Sequence, residues 1–217
     1  MQTGAGTTGT EQRGKGKHGG ARSSRDRLSY ELTRKHCEDL IAAARCAHDM
    51  GLPFNRWITI AWGRNGIAPR DNRNITGRFI KLASDWLRRQ GRKLVWAWVQ
   101  EASDTNGPHI HLLLHVPDDL APLWRSKPEK WVNRLLGARG YRDTLDTQRL
   151  PTGANEASDP AAYQTLVMGK VHYMLKAAPA ALERELDMVE RGYKSWGRSC
   201  PIYGNRLAIW QGWQRNI

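Results

Sequence analysis

Phenylalanine is nearly missing from this chain: 217 residues contain two, against ten tryptophans. An aromatic core must therefore be built on indole, and burying that large apolar area is what a small domain needs. Cysteine is also scarce. Cys37, Cys46 and Cys200 have neither paired nor metal-ligand spacing, which excludes a disulfide framework and fits a reduced, cytoplasmic compartment. No apolar run is long enough to span a bilayer, no long basic amphipathic helix is present, and no apolar signal-peptide core lies near Met1, so no membrane role is expected. Acidic residues are outnumbered: 21 Asp and Glu face 34 Lys and Arg, a formal charge of +13 with a pI near 10.1. That imbalance favours a polyanionic partner, with nucleic acid first.

The length suits one domain with a real core and appended arms. Residues 1–25 are Gly, Thr, Ser, Lys and Arg with almost no large apolar side chain, and are expected to be a disordered basic arm. Helical spacing runs from Leu28 to about Met50, ended by Gly51 and Pro53. Arg56 to Trp62 reads as a strand, and Asn74 to Gln90 as a helix with Ile75, Phe79, Leu82 and Trp86 on one face. Ser126-Lys-Pro128 opens a short helix through Leu136, and Tyr141–Leu150 reads as one more strand. After a loop over 151–159, Asp159 caps a helix to about Ala178, followed by another from Pro179 to Arg191. A catalytic domain over 26–192 and a basic, tryptophan-rich C-terminal extension over 193–217 complete the layout; tryptophans in that extension are candidates for stacking on bases. Helices interleaved with hairpin strands predict an α+β fold, a central antiparallel sheet with helices packed on it.

The chemistry concentrates in Gly107-Pro-His-Ile-His-Leu-Leu-Leu-His115, a strand carrying histidines at i and i+2. His109 and His111 leave one face with Cα atoms roughly 6.5 Å apart, close enough to converge on one ion. His115 starts roughly 13 Å beyond His111 and is expected outside the first shell. The third ligand must come from another segment. Lys93–Glu101 reads as the partner strand, with Val95, Ala97, Val99 and Glu101 on one face, and 102–108 is rich in turn formers. A symmetric hairpin pairs residues summing to 210, which puts Glu101 opposite His109 and Val99 opposite His111, with opposed Cβ atoms about 5 Å apart. Two histidines and a carboxylate suit a catalytic divalent ion such as Mg²⁺ or Mn²⁺.

Downstream, Lys170-Val-His-Tyr173-Met-Leu-Lys176 puts a tyrosine one helical turn from a lysine on either side, beside positive charge that holds a phosphate near its oxygen. A strand HxH, a carboxylate on the adjoining strand and a helical YxxK, in that order in a basic chain, resembles the HUH endonucleases. Within them it is most similar to the rolling-circle replication initiators of plasmids and phages. The Thr59 strand, His109-Ile110-His111 and Tyr173-Met-Leu-Lys176 match that family's three motifs, over residues 28 to 178 or so.

The resemblance implies a ferredoxin-like palm and tyrosine transesterification. Glu101, His109 and His111 would hold the metal, Tyr173 would attack the scissile phosphate of single-stranded DNA, and Lys176 would position that phosphate. It further implies a replication origin as target, with host helicase and polymerase as partners, since the chain has no GxxxxGK[ST] loop of its own. Tyr163 lies ten residues before Tyr173, about 80° around a helix and about 15 Å along it, and is given no role. A transposase of the same superfamily would use identical chemistry, and a non-catalytic DNA-binding protein would explain the charge alone. A histidine-triad enzyme would need HxHxH, and Leu113 stands at the third position.

Overall fold

The computed structural model describes residues 27–103, 107–150, 159–186 and 200–216. The basic arm over 1–25, the turn at 104–106, the loop over 151–158, the second half of the 179–191 helix and Trp196 lie outside the described residues.

The chain runs β1 (Leu28–Ser29), α1 (Arg34–Asp49), β2 (Arg56–Ile60), α2 (Asn72–Arg89), β3 (Trp96–Ser103), β4 (Gly107–Leu114), α3 (Ala121–Trp124), α4 (Lys127–Leu136), β5 (Leu145–Arg149), α5 (Pro160–Met174), α6 (Ala180–Glu185), β6 (Ile202–Tyr203) and β7 (Leu207–Ile209). Five strands form one antiparallel sheet in the order β5-β2-β4-β3-β7, and β1 pairs with β6 in a two-stranded sheet. The fold is α+β, as the sequence predicts.

Strand alternation splits the core into two layers. Trp57, Ala97, Val99, Leu113 and Leu207 pack with α1 and α5 on one face. Ile58, Ile60, Trp98, Ile110, Leu112 and Leu114 pack with α2, α3 and α4 on the other. The second layer carries the indole core directly: Trp86, Trp124 and Trp131 meet one another with ring centres 5.4 to 6.2 Å apart.

Three segments depart from the sequence reading. Leu28 and Ser29 are a strand, not the first turn of α1. Thr33 starts that helix: its hydroxyl accepts the His36 amide at 3.2 Å while His36 Nδ1 accepts the Thr33 amide at 3.2 Å, and this reciprocal cap leaves no room for earlier turns. The helix expected to reach Ala178 stops at Met174. Pro179 disfavours helical backbone at Ala178, and the Ala177 carbonyl is taken by the Leu32 amide at 2.9 Å. The strand expected over 141–150 begins at Leu145, because Tyr141–Asp143 turns, with Asp143 at φ 62°. Within the stretch read as an extension, β7 is the edge strand beside β3. There Trp210 is 2% exposed in the core, which removes it as a base-stacking ring.

Candidate metal and nucleophile site

β3 and β4 pair in the register the symmetric hairpin predicts: Glu101 faces His109, and Val99 faces His111. On the other side of β4, Thr59 of β2 faces His111. Alternation therefore sends Glu101, His109, His111 and Thr59 to one face, towards α5. The three ligand candidates are buried at 4%, 4% and 6% exposure, and their donor atoms all lie within 4.8 Å of one another.

The hydrogen bonds behind these donors orient them. His109 Nδ1 lies 2.9 Å from the Gly107 carbonyl, which can only accept, so Nδ1 carries the proton and Nε2 presents its lone pair inward. His111 Nδ1 lies 3.0 Å from Thr59 Oγ1. With that hydroxyl accepting, His111 Nε2 is likewise available to ligate. Both Nε2 atoms are 3.4 Å from Glu101 Oε2. Glu101 Oε1 and His111 Nε2 are buried without a hydrogen-bond partner, a costly arrangement that a bound cation relieves. The donor set therefore fits a metal ion.

Electrostatics agree. Burial alone would raise the Glu101 carboxyl, but the two imidazoles and the Lys176 ammonium outweigh it and hold the group well below the usual carboxylate range. Burial pushes His111 down despite the pull of Glu101, which keeps the imidazole neutral and ligand-competent. Lys176 loses charge stabilisation by burial, yet Glu101 and Tyr173 raise its pKa overall, so it stays an ammonium.

Tyr173 and Lys176 reach this centre from the end of α5. Lys176 Nζ is 2.6 Å from Glu101 Oε2 and donates to the Tyr173 hydroxyl at 3.1 Å. The Tyr173 ring meets His111 edge-on at 5.3 Å. Helix geometry is not what joins the pair: Lys176 sits in the turn after Met174, which swings it back over the Tyr173 ring at 4.1 Å. Lys170, the other flanking lysine, lies over Trp57 with Nζ 5.0 Å from the ring centre. His115 is held away, its Nδ1 2.8 Å from the Pro53 carbonyl, as its distance along the strand predicts. Tyr163 is 4% exposed and donates to the Phe54 carbonyl at 3.3 Å, a structural contact remote from the centre.

Sequence reasoning misses Trp57. It stacks on His111 with ring centres 4.8 Å apart and planes 18° from parallel, and meets Tyr173 edge-on at 5.7 Å. Strand parity is the signal that could have found it, because residues 57 and 59 leave one face and the Thr59 strand matches a motif of the site. Trp57 is thus the wall that seats both the imidazole and the tyrosine.

A family model for a replication-associated protein of the ORF2 type matches residues 55–176. No curated protein and no solved structure matches the chain. The matched segment opens one residue before β2 and closes on Lys176, so it contains the whole Glu101, His109, His111, Tyr173 and Lys176 constellation. It covers more than half of the chain, and the chain belongs to this family of ORF2-type replication-associated proteins.

Proposed function

We propose that the protein nicks and rejoins single-stranded DNA at a replication origin through a tyrosine intermediate, initiating rolling-circle replication. The observation that carries this reading is the chain of contacts from the Tyr173 hydroxyl through Lys176 Nζ to Glu101 Oε2, which ties a nucleophile to a buried metal-type donor set. Glu101, His109 and His111 would hold Mg²⁺ or Mn²⁺, which supplies Lewis-acid polarisation of a phosphoryl oxygen when bound.

The remaining steps belong to the chain's own side chains. The Tyr173 oxygen attacks phosphorus, forming a tyrosyl–phosphorus bond as the P–O3′ bond breaks. The upstream strand leaves with a 3′-hydroxyl, which takes up a proton equivalent to the one Tyr173 gives up, and the downstream strand stays linked as a 5′-phosphotyrosine. Lys176 offers a fixed positive charge to the phosphate and to the developing phenolate, a contribution strongest where water is excluded. Reversal by an incoming 3′-hydroxyl rejoins strands, because the covalent link preserves the phosphodiester's energy. The 3′-hydroxyl left by nicking is the end a host polymerase extends, and strand opening falls to a host helicase because the chain carries no P-loop.

The test uses a random-sequence single-stranded DNA pool with Mn²⁺ and a denaturing gel. A 3′ label should migrate with the protein and a 5′ label should be released. No adduct with either label, or an adduct that persists in Tyr173→Phe, overturns the assignment.

A further inference from the structure

We infer that the groove between α2 and β6 is a second DNA-binding surface, which grips the phosphates of a single strand outside the nicking site. The inference rests on the DNA-nicking reading only for the identity of the polyanion. Arg70, Arg73, Arg78 and Lys81 fall at intervals of three to five residues and are all exposed, so they form one stripe along the start and body of α2. From Arg73 to Lys81 that stripe spans about 12 Å of helix. With Tyr203 and Gly204 opposite, they line a groove of about 640 Å³.

The charge here is not that of an ordinary solvated helix face. On α1, Lys35 is matched by Asp39 at 2.9 Å and Arg34 by Glu38 at 3.8 Å, each one turn on. On α2 only the far end follows that pattern, where Lys81 meets Asp85 at 2.7 Å. Over residues 70–78 three arginines share a single carboxylate in sequence, Asp71. Gly77 leaves open space at the middle of the stripe, and Gly204 leaves room on the facing wall, so a sugar–phosphate backbone can approach closely. The Arg70 guanidinium lies 5.5 Å from the centre of the half-buried Tyr203 ring. An aromatic ring beside a basic track recognises unpaired bases and backbone together. A duplex offers that ring no free base face.

The groove is also wired to the nicking site. Asn72, at the start of α2, donates to Gln100 Oε1 at 2.8 Å, and Gln100 Nε2 donates to the Asn205 carbonyl at 2.7 Å. Gln100 is the residue before Glu101 and points to the opposite sheet face. The two surfaces therefore lie back to back at the same end of β3, and a strand passing over the sheet edge meets both.

The experiment measures anisotropy of fluorescein-labelled dT30 and of a 30-base-pair duplex over a salt series, with the full chain. Arg70→Ala, Arg73→Ala and Arg78→Ala combined should weaken dT30 binding by about tenfold and reduce the slope of log K against log salt by about 2. A control triple removing Lys35, Arg45 and Lys130 deletes the same charge elsewhere and should have a clearly smaller effect. Equal losses in the two triples would make the groove mere bulk charge and overturn the inference. A larger loss for duplex than for dT30 would overturn the single-strand assignment. The groove variant should still form the tyrosine adduct at saturating DNA, whereas Tyr173→Phe should lose the adduct and keep dT30 binding, so the two readings fail separately.

Discussion

Glu101 Oε2 is contested by a cation already in the protein. The Lys176 ammonium sits 2.6 Å away, on the oxygen that both imidazoles also approach, while Oε1 goes without a hydrogen-bond partner. A divalent ion entering there meets a like charge at close range and must displace it or live beside it. Lys176→Met should therefore bind Mn²⁺ more tightly than the parent chain in calorimetric titration, while forming the DNA adduct more slowly. Weaker Mn²⁺ binding in that variant would show that Lys176 supports the metal centre instead of opposing it. The two tyrosines of α5 separate by the same residue-level logic. Tyr173→Phe should abolish the covalent adduct with DNA affinity nearly unchanged. Tyr163→Phe should keep the adduct and lose about 1 kcal/mol of stability with its bond to the Phe54 carbonyl, read as a lower urea midpoint. An adduct lost in Tyr163→Phe instead would transfer the nucleophile's role two or three turns along the helix.

At the scale of elements, the hairpin is readable from sequence because two rules converge on it. Strand parity fixes the face, a symmetric turn fixes the register, and Glu101 opposite His109 follows from both. β1, β6 and β7 are not readable, since strands of two or three residues have no period to detect. Their placement comes from long-range bonds instead: buried Arg206, just before β7, donates to the carbonyls of Ser29 at 2.7 Å and Cys200 at 3.0 Å. Helical spacing points to the YxxK pair for a partly mistaken reason, because the helix ends between its two members and a turn brings them together. One glycine holds the metal end of the hairpin in place. A Cβ on Gly63 would lie 2.5 Å from Pro108 Cδ and 2.9 Å from Pro108 N, next to His109. Gly63→Ala should cost about 1–3 kcal/mol by overpacking and should weaken Mn²⁺ binding as β4 shifts. Unchanged stability and unchanged metal affinity would mean that the contact relaxes without disturbing the ligands.

For the whole molecule, the two-layer core leaves the site on the α1/α5 face and the basic groove on the other, both within one strongly cationic chain. A formal charge of +13 implies several phosphate contacts and the release of as many counterions. Affinity for single-stranded DNA should fall steeply between low and high salt, and a flat salt profile would point to a partner other than nucleic acid. Residues 1–25 hold five of the 34 basic side chains but none of the site residues, which all fall within 101–176. If that arm adds only non-specific charge, deleting it should lower affinity modestly and reduce the salt slope by no more than about 3.5, at about 0.7 per lost phosphate contact. Adduct formation at saturating DNA should keep its rate and its Mn²⁺ dependence, since neither the donor set nor Tyr173 is touched. A deletion variant that binds DNA as well as the parent but no longer forms the adduct would place part of the chemistry in the arm.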